Sequence, residues 1–107
     1  MNNNKILSII IPTYNAIKTL DKTLMSLSIQ RTKYKFEVLL VNDKSNYTYE
    51  KVIDKYKKLI DIKELELKEN VGPGQARQKG IENTNSKYIL FIDADDYLYS
   101  PYSIELL

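Results

Sequence analysis

The chain has 107 residues, a net charge of +2, and neither cysteine nor histidine. This length accommodates at most one domain, and the missing residue types exclude disulfide scaffolds, thiolate metal sites, histidine general bases and most zinc sites. Any bound metal must therefore be a hard cation held by oxygen ligands, such as Mg²⁺ or Mn²⁺. The lysines that dominate the positive charge are scattered along the chain, so we expect no nucleic-acid partner.

The hydropathy of the chain bears on its location. No apolar run approaches the roughly 20 residues that span a bilayer. The run at residues 6–11 is too short for a signal peptide and leads directly into Pro12. We therefore expect a cytoplasmic protein, and peripheral attachment to the inner face of the membrane is the alternative for the full-length protein.

Hydrophobic periodicity predicts an alternation of strands and helices. In chain order we predict a strand at residues 6–11, a helix at 17–30, a strand at 36–41, a helix at 52–60, a strand at 62–67, a helix at 75–82 and a buried strand at 88–92. Asn15 is predicted to cap the first helix, and Pro101 suits the first turn of a further helix. Glu64 and Glu66 interrupt the third strand, which we therefore place nearer an edge of the sheet.

This order of elements indicates an α/β fold, a Rossmann-like parallel sheet of about four strands flanked by helices. Right-handed crossovers favour the strand order 3-2-1-4, with the first and fourth strands adjacent. Ligands of such sheets bind at the carboxyl ends of the strands, beside the point where the order reverses. Polar clusters follow the predicted strands, so we expect these clusters to share one edge of the sheet.

The densest cluster follows the last strand, where Asp93, Asp95 and Asp96 place three carboxylates within four positions. At ~4 Å and an effective dielectric of ~20, two such charges repel by about 4 kcal/mol, a large part of the stability of a small domain. A divalent cation, or a pocket that favours negative charge, would remove that cost. With Asp43 and Arg77 near neighbouring strand ends, the sequence predicts an oxygen-ligand metal site beside a crevice of nucleotide size.

Each of these residues also has a purely structural interpretation. Asp43 could cap the second helix, Asp93 or Asp96 could cap a last helix, Tyr14 could pack over the first helix, and Arg77 could be a solvated surface charge. Three acids at one strand end make capping alone a poor explanation of the cluster. Gly72 and Gly74 fit no phosphate-binding glycine pattern, and we interpret them as turn residues.

The polar clusters belong to four longer segments: SIIIPTYN (residues 8–15), EVLLVNDKS (37–45), NVGPGQARQKG (70–80) and YILFIDADDY (88–97). In order and spacing, these segments resemble four successive motifs of the family 2 glycosyltransferases. The resemblance covers almost the whole chain, and it implies the GT-A fold and the use of a nucleotide-sugar donor. The second motif departs from the family, which usually has Asp-Asp-Gly-Ser where this chain has Asn42-Asp43-Lys44-Ser45.

The resemblance implies how the nucleotide is bound. The loop of Pro12, Thr13, Tyr14 and Asn15 would line the nucleotide pocket, with the tyrosine ring against the base. Asp43 would accept a hydrogen bond from the uracil ring.

The resemblance also implies a metal and diphosphate site, with Arg77 near the base and the phosphates. The triplet Asp93-Ala94-Asp95 corresponds to the D-x-D motif of the family. Asp93 would approach the ribose, with Ala94 in the same nucleotide-binding turn. Asp95 would help to hold Mn²⁺ or Mg²⁺ against the diphosphate, with Asp93 and Asp96 as further candidate ligands. The cation would neutralise the charge that develops on the departing nucleoside diphosphate.

From this resemblance we expect residues 1–107 to form the N-terminal, donor-binding part of an inverting glycosyltransferase domain, ending before the acceptor-binding half. The whole enzyme would transfer a sugar, with a UDP-sugar as the expected donor, to a hydroxyl of a saccharide or lipid-linked acceptor in cell-surface polysaccharide or glycoconjugate synthesis. Glu105 lacks the context of a catalytic base, so we expect the base beyond Leu107. The fragment alone would then bind donor and metal without turnover.

Three alternatives to this interpretation remain: a sugar nucleotidyltransferase, a receiver-like Mg²⁺-binding signalling domain, and a non-catalytic nucleotide-binding domain. The first usually has a glycine-rich basic loop after its first strand, and the second has its acid pair there. This chain has Thr13-Tyr14-Asn15 at that position. The third alternative keeps the fold without the activity, and an activity assay on the whole protein would distinguish it.

Overall fold

The computed structural model describes residues 6–105, in which strands and helices alternate as predicted. The elements are β1 (Leu7–Thr13), α1 (Ile17–Ser28), β2 (Phe36–Asn42), α2 (Glu50–Tyr56), β3 (Asp61–Glu66), α3 (Pro73–Glu82) and β4 (Tyr88–Phe91). All seven predicted elements are therefore confirmed, with shifts at their ends. The largest shift is in α2, which begins two residues before the predicted start and ends at Tyr56, because residues 57–59 form turns.

The strands form one parallel sheet with the order β3-β2-β1-β4, which confirms the predicted topology. β1 pairs along its whole length with β2, from Leu7 opposite Phe36 to Thr13 opposite Asn42. β4 pairs with the first four residues of β1, and one residue later the N–H of Ile92 still donates to the carbonyl of the β1 residue Ile10 (3.1 Å). The chain that follows β4 therefore begins beside the carboxyl end of β1.

The sheet is covered on both faces. One face packs against α1 and α2 in a core that includes Ile9, Ile11, Leu20, Leu24, Leu27, Val38, Leu40, Tyr49 and Tyr56. On the other face, Ala76 of α3 packs with the intervening strand residues Ile10, Leu39 and Val41. Burial on both faces explains why β1 and β2 are continuous apolar runs rather than alternating ones.

α3 approaches the sheet closely at Gly80. A Cβ placed on Gly80 would lie 2.6 Å from Cγ2 of Ile10 and 3.2 Å from Cγ2 of Val41, well inside ordinary carbon contact distances. The glycine therefore allows α3 to lie close against β1 and β2. Arg77, about one turn earlier on α3, takes its position from this contact.

The structure corrects two predictions about element ends. Asn15 does not cap α1, because Ala16 occupies the N-cap position without a side-chain hydrogen bond. Asn15 instead adopts a left-handed conformation with φ of 49°. Pro101 begins no helix in the described part of the chain, since residues 101–105 form turns. The carbonyl of Pro101 accepts a hydrogen bond from Arg31 N–H, three residues after the end of α1 (2.6 Å).

A third correction concerns β4, which was predicted to be buried. Tyr88 is 57% exposed and Phe91 is 41% exposed. The reason is topological, because within residues 6–105 the strand pairs only with β1 and forms an edge of the sheet. None of the helices in this part of the chain has both the length and the apolar character needed to cross a bilayer.

Candidate functional site

The residues that follow β4 form a tight acidic turn, residues 93–96, at the carboxyl edge of the sheet. The N–H of Asp96 donates to the carbonyl of Asp93 (3.0 Å), and Ala94 is buried beneath the turn. The side chains of Asp93, Asp95 and Asp96 are exposed, and each offers a carboxylate oxygen within 4.8 Å of the others. Because the donor set is entirely anionic oxygen, it fits a hard divalent cation such as Mg²⁺ or Mn²⁺.

Arg77 of α3 lies against this turn. Its Nη2 is 3.1 Å from Oδ1 of Asp93, with both side chains partly exposed (35% and 58%). Such an exposed pair adds little to stability, but it brings a guanidinium group to the edge of the acidic turn. The predicted neighbours Arg77 and Asp93 are therefore in contact.

Asp43, at the end of β2, is 3% exposed and engages the loop before α3. Its Oδ1 accepts a hydrogen bond from Val71 N–H (2.8 Å) and its Oδ2 accepts one from Gly72 N–H (2.9 Å). The Asn70 side chain donates to the Asp43 carbonyl (3.0 Å), and Asp43 N–H donates to Thr13 O (2.8 Å). Asp43 thus joins β1, β2 and the start of α3. Each carboxylate oxygen keeps a second lone pair for a further donor.

Asn42, one of two departures from the family motif (the other is Lys44), has a physical explanation in Glu64 of β3. The Asn42 amide donates to Glu64 Oε2 (2.8 Å) and to Tyr47 O (3.0 Å), while its Oδ1 accepts from Ser45 N–H (2.8 Å). An aspartate at this position would place a second carboxylate against that of Glu64 and would have no N–H group to donate to it. The amide is therefore the residue type that the local environment requires.

The predicted nucleotide loop after β1 is fixed to the loop after β2. Asn15 N–H donates to Ser45 Oγ (2.9 Å), and Asn15 Oδ1 accepts from Asn46 N–H (2.8 Å). Thr13 is buried and its hydroxyl donates to Val41 O (3.2 Å). The ring of Tyr14 is 55% exposed, so of the side chains in this loop it is well placed to stack on a planar ligand.

An open cavity of about 740 Å³ lies beside the acidic turn. Its lining combines Arg77, Asp93 and Asp96 with aromatic residues, among them Phe91 and Tyr97. This volume lies in the range typical of small-molecule sites. Charged and aromatic groups thus face one space beside β4, whereas Tyr14 and Asp43 of the predicted nucleotide crevice do not line this cavity.

Sequence reasoning missed a set of polar residues on and just after α1 that contact the segment after β4. Thr23, Ser26 and Gln30 hydrogen-bond to groups of residues 94, 96, 98, 100 and 104. Thr23 and Ser26, three residues apart, lie on one face of α1, and Gln30 follows two residues after the helix ends. The signal was present as a polar stripe beside the apolar one, but nothing local in the sequence indicated what it would contact.

Comparison with known proteins agrees with this geometry. A model of the family described as "Glycosyl transferase family 2" matches residues 8–107. The poly(ribitol-phosphate) beta-N-acetylglucosaminyltransferase TarS of Staphylococcus aureus is 36% identical over 93 residues, covering 85% of this chain and 16% of TarS. The poly(ribitol-phosphate) beta-glucosyltransferase of Bacillus spizizenii is 36% identical over 97 residues, covering 88% of this chain and 15% of that protein. The chain thus spans about a sixth of the length of these relatives.

Solved structures share the architecture. The crystal structure of S. aureus TarS 1–349 in complex with UDP matches with a TM-score of 0.83 at 33% identity, covering 92% of this chain and 30% of that one. The mannosyltransferase PcManGT from Pyrobaculum calidifontis, in complex with GDP-Man and Mn²⁺, has the same fold, with a TM-score of 0.78 at 18% identity over 94% of this chain and 30% of its own. By its strand order, its motifs and the family match over residues 8–107, this chain belongs to glycosyltransferase family 2 and has the GT-A fold.

Proposed function

We propose that this chain is the donor-binding part of an inverting glycosyltransferase that transfers a sugar from a UDP-sugar to a hydroxyl of a polyol-phosphate polymer of the cell surface. The observation that carries the proposal is the convergence of three carboxylates at the carboxyl edge of the sheet, with Arg77 in contact. The solved complex of TarS with UDP supports the choice of nucleotide. The names of TarS and of the Bacillus relative, both for poly(ribitol-phosphate), support the class of acceptor.

In this proposal the chain binds the nucleotide between two loops. The exposed ring of Tyr14 stacks on the base, and the hydrogen bonds that join Asn15 to Ser45 and Asn46 hold its loop in place. Asp43 sits at the base of the same edge, with free lone pairs for the imide N–H of a uracil ring. Arg77 offers a guanidinium to the phosphates, since a planar cation suits phosphate oxygens.

The acidic turn holds the diphosphate end of the donor. A divalent cation bound there would offset negative charge on the leaving nucleoside diphosphate. Asp95, at the centre of the turn, is the ligand we assign first, because Asp93 is already paired with Arg77. Asp96 and Asp93 lie close enough to contribute a second oxygen.

The base that deprotonates the acceptor lies outside residues 1–107 in this proposal. Within the described part of the chain, Glu105 is the acid that follows the acidic turn, and its carboxylate is already engaged. Thr32 Oγ1 donates to it at 2.8 Å and Lys33 N–H at 3.3 Å. The hydrogen bond from Thr32 holds the pKa of Glu105 below its ordinary value, which makes it a weaker proton acceptor.

Calorimetric titration of UDP, with and without Mn²⁺, tests the proposal. The wild-type chain is expected to bind UDP more tightly in the presence of Mn²⁺, because a cation held by the carboxylates of the acidic turn would attract the negatively charged diphosphate. Asp95→Asn is expected to reduce the metal-dependent affinity about tenfold or more, which corresponds to about 1.4 kcal/mol. Asp54→Asn on α2 is the matched control, since Asp54 is an exposed acid whose partner Lys57 lies on the same surface.

Two results would contradict the proposal. One is UDP binding by the wild-type chain that is indifferent to Mn²⁺, which would remove the metal from the site. The other is an Asp95→Asn variant that keeps the full gain from Mn²⁺. Titration with GDP in place of UDP tests the base, and equal affinity for the two nucleotides would contradict the assignment of uracil.

A further inference from the structure

The segment from Ile92 to Glu105 forms neither strand nor helix, so its backbone polar groups need partners from elsewhere. α1 supplies them. The helix is anchored by Leu20, Leu24 and Leu27, which are at most 1% exposed. Beside this apolar stripe, a polar ladder faces the irregular segment; it consists of Thr23 and Ser26 of α1 and of Gln30, two residues beyond the end of the helix.

Thr23 is the residue of this ladder that lies next to the acidic turn. Its side chain is 1% exposed, and its Oγ1 lies 2.9 Å from the carbonyl oxygen of Ala94 and within hydrogen-bond distance of the carbonyl oxygen of Asp96. A helical threonine usually donates to the carbonyl four residues earlier, but here Thr19 O is 3.5 Å away. The Thr23 hydroxyl is therefore directed at the two carbonyls that flank Asp95.

Ser26 and Gln30 contact the residues that follow the acidic turn. Ser26 Oγ accepts from Leu98 N–H (3.0 Å) and donates to Thr23 O (2.7 Å). Gln30 donates through Nε2 to Ser100 O (2.7 Å) and accepts at Oε1 from Ile104 N–H (3.0 Å). The backbone after β4 is thus hydrogen-bonded to side chains on α1 and just after its end.

We propose that Thr23 is a positioning residue that holds the acidic turn in its metal-binding shape before the cation arrives. The proposal rests on the proposed function, because it assigns the turn to a cation. Like charges on Asp93, Asp95 and Asp96 repel one another and favour an opened turn. The Thr23 hydroxyl opposes that opening because it is fixed on a buried helix and bonds to the backbone of the turn. The turn therefore loses less conformational freedom when the cation binds.

Three substitutions on α1 separate this role from general packing. Thr23→Val keeps the shape of the side chain and removes the hydroxyl proton that reaches Ala94 O and Asp96 O. Thr23→Ser keeps the hydroxyl. Thr19→Val is the matched control one turn earlier on the same helix, because Thr19 is exposed and its hydroxyl bonds only to Ala16 O (3.2 Å).

Two measurements are made on the full chain. The first is amide hydrogen exchange of residues 95–98 without metal, which reports how often the turn opens. Thr23→Val is expected to speed exchange of the Asp96 amide roughly tenfold, whereas Thr23→Ser and Thr19→Val stay close to wild type. The second is calorimetric titration of Mn²⁺ in the presence of UDP, in which Thr23→Val is expected to bind several-fold more weakly and Thr23→Ser to recover the affinity.

The inference would be overturned if the amides of residues 95–98 exchanged at the wild-type rate in Thr23→Val. It would also be overturned if that variant bound Mn²⁺ as tightly as the wild type. If the wild-type chain binds no Mn²⁺ with UDP, both the proposed function and the metal-positioning role of Thr23 fail. Faster exchange in Thr23→Val would then still show that the hydroxyl holds the turn, but not that it does so for a cation. If Thr23→Val does not fold, Ser26→Ala takes its place, with faster exchange of the Leu98 amide expected. Unchanged Leu98 exchange in that variant would overturn the ladder as the support of the turn.

Discussion

Replacing Gly80 by alanine is expected to destabilise the chain and to displace α3. The added Cβ would stand 2.6 Å from Cγ2 and 3.1 Å from Cδ1 of Ile10. Because carbon atoms in contact normally lie roughly 3.5–4 Å apart, Ile10 or the helix must move by about 1 Å. Ile10 is fully buried in β1 and its Cγ2 is attached to a stiff β-branched carbon, so the helix is the part expected to move.

The magnitude follows from two opposing terms. Overpacking a well-packed core costs about 1–3 kcal/mol, whereas glycine to alanine in a helix interior contributes roughly 0.5–1 kcal/mol of stability. These ranges leave an expected net loss of up to about 2.5 kcal/mol in the free energy of unfolding. Urea denaturation followed by circular dichroism measures this loss directly, and a thermal midpoint lowered by roughly 4–8 °C per kcal/mol would accompany it.

Gly74→Ala is the matched control, because Gly74 lies in the first turn of the same helix and a Cβ there would have no atom within 4 Å. This variant is expected to be as stable as wild type or up to about 1 kcal/mol more stable. Equal stability of Gly80→Ala and Gly74→Ala would refute the close contact of α3 with β1. The same displacement should move Arg77 from Asp93, so UDP affinity in Gly80→Ala is expected to fall while Gly74→Ala keeps it.

Two further predictions concern charged groups around the sheet. Asn42→Asp is expected to lower the free energy of unfolding by about 2 kcal/mol at neutral pH, because it places a second carboxylate against Glu64. Adding Glu64→Gln should recover most of the loss in urea denaturation, and no recovery would exclude the charge contact as the cause. The hydrogen bonds from Lys55 and then from Tyr56 hold the pKa of Asp21 below its ordinary value, so the pair contributes stability above a pH of about 4 and loses it as the pH falls further. Asp21→Asn should therefore be less stable than wild type at pH 7, by a few tenths of a kcal/mol for so exposed a pair. The difference should shrink as the pH falls through the lowered pKa of Asp21, and a difference that does not shrink in acid would contradict this.

Two contacts link the core to the proposed donor site. Asp43 connects the ends of β1 and β2 to the loop that starts α3, and α3 carries Arg77 to the acidic turn. On the opposite side, Thr23 connects α1 to the same turn. The carboxylates are thus exposed, but the backbone that carries them is held from the α1 side by the buried Thr23, which suits a site that must keep its shape against its own charge.

The sequence by itself determined the alternation of elements, the strand order and the place of the acidic turn. Strand and helix periods are local properties, and right-handed crossovers leave few topologies for an alternating chain. Because parallel strands end at one edge, the polar residues after them had to gather there. The prediction of metal-binding chemistry at residues 93–96 needed no more than this reasoning.

Only the tertiary structure decided what individual side chains contact. The Asp43 carboxylate meets backbone amides 28 and 29 residues further along, and the Thr23 hydroxyl meets a carbonyl 71 residues away. No periodicity encodes such pairs, because they depend on how close two packed elements come. The same is true of β4, whose apolar residues predicted burial while its position at the edge of the sheet leaves Tyr88 and Phe91 exposed.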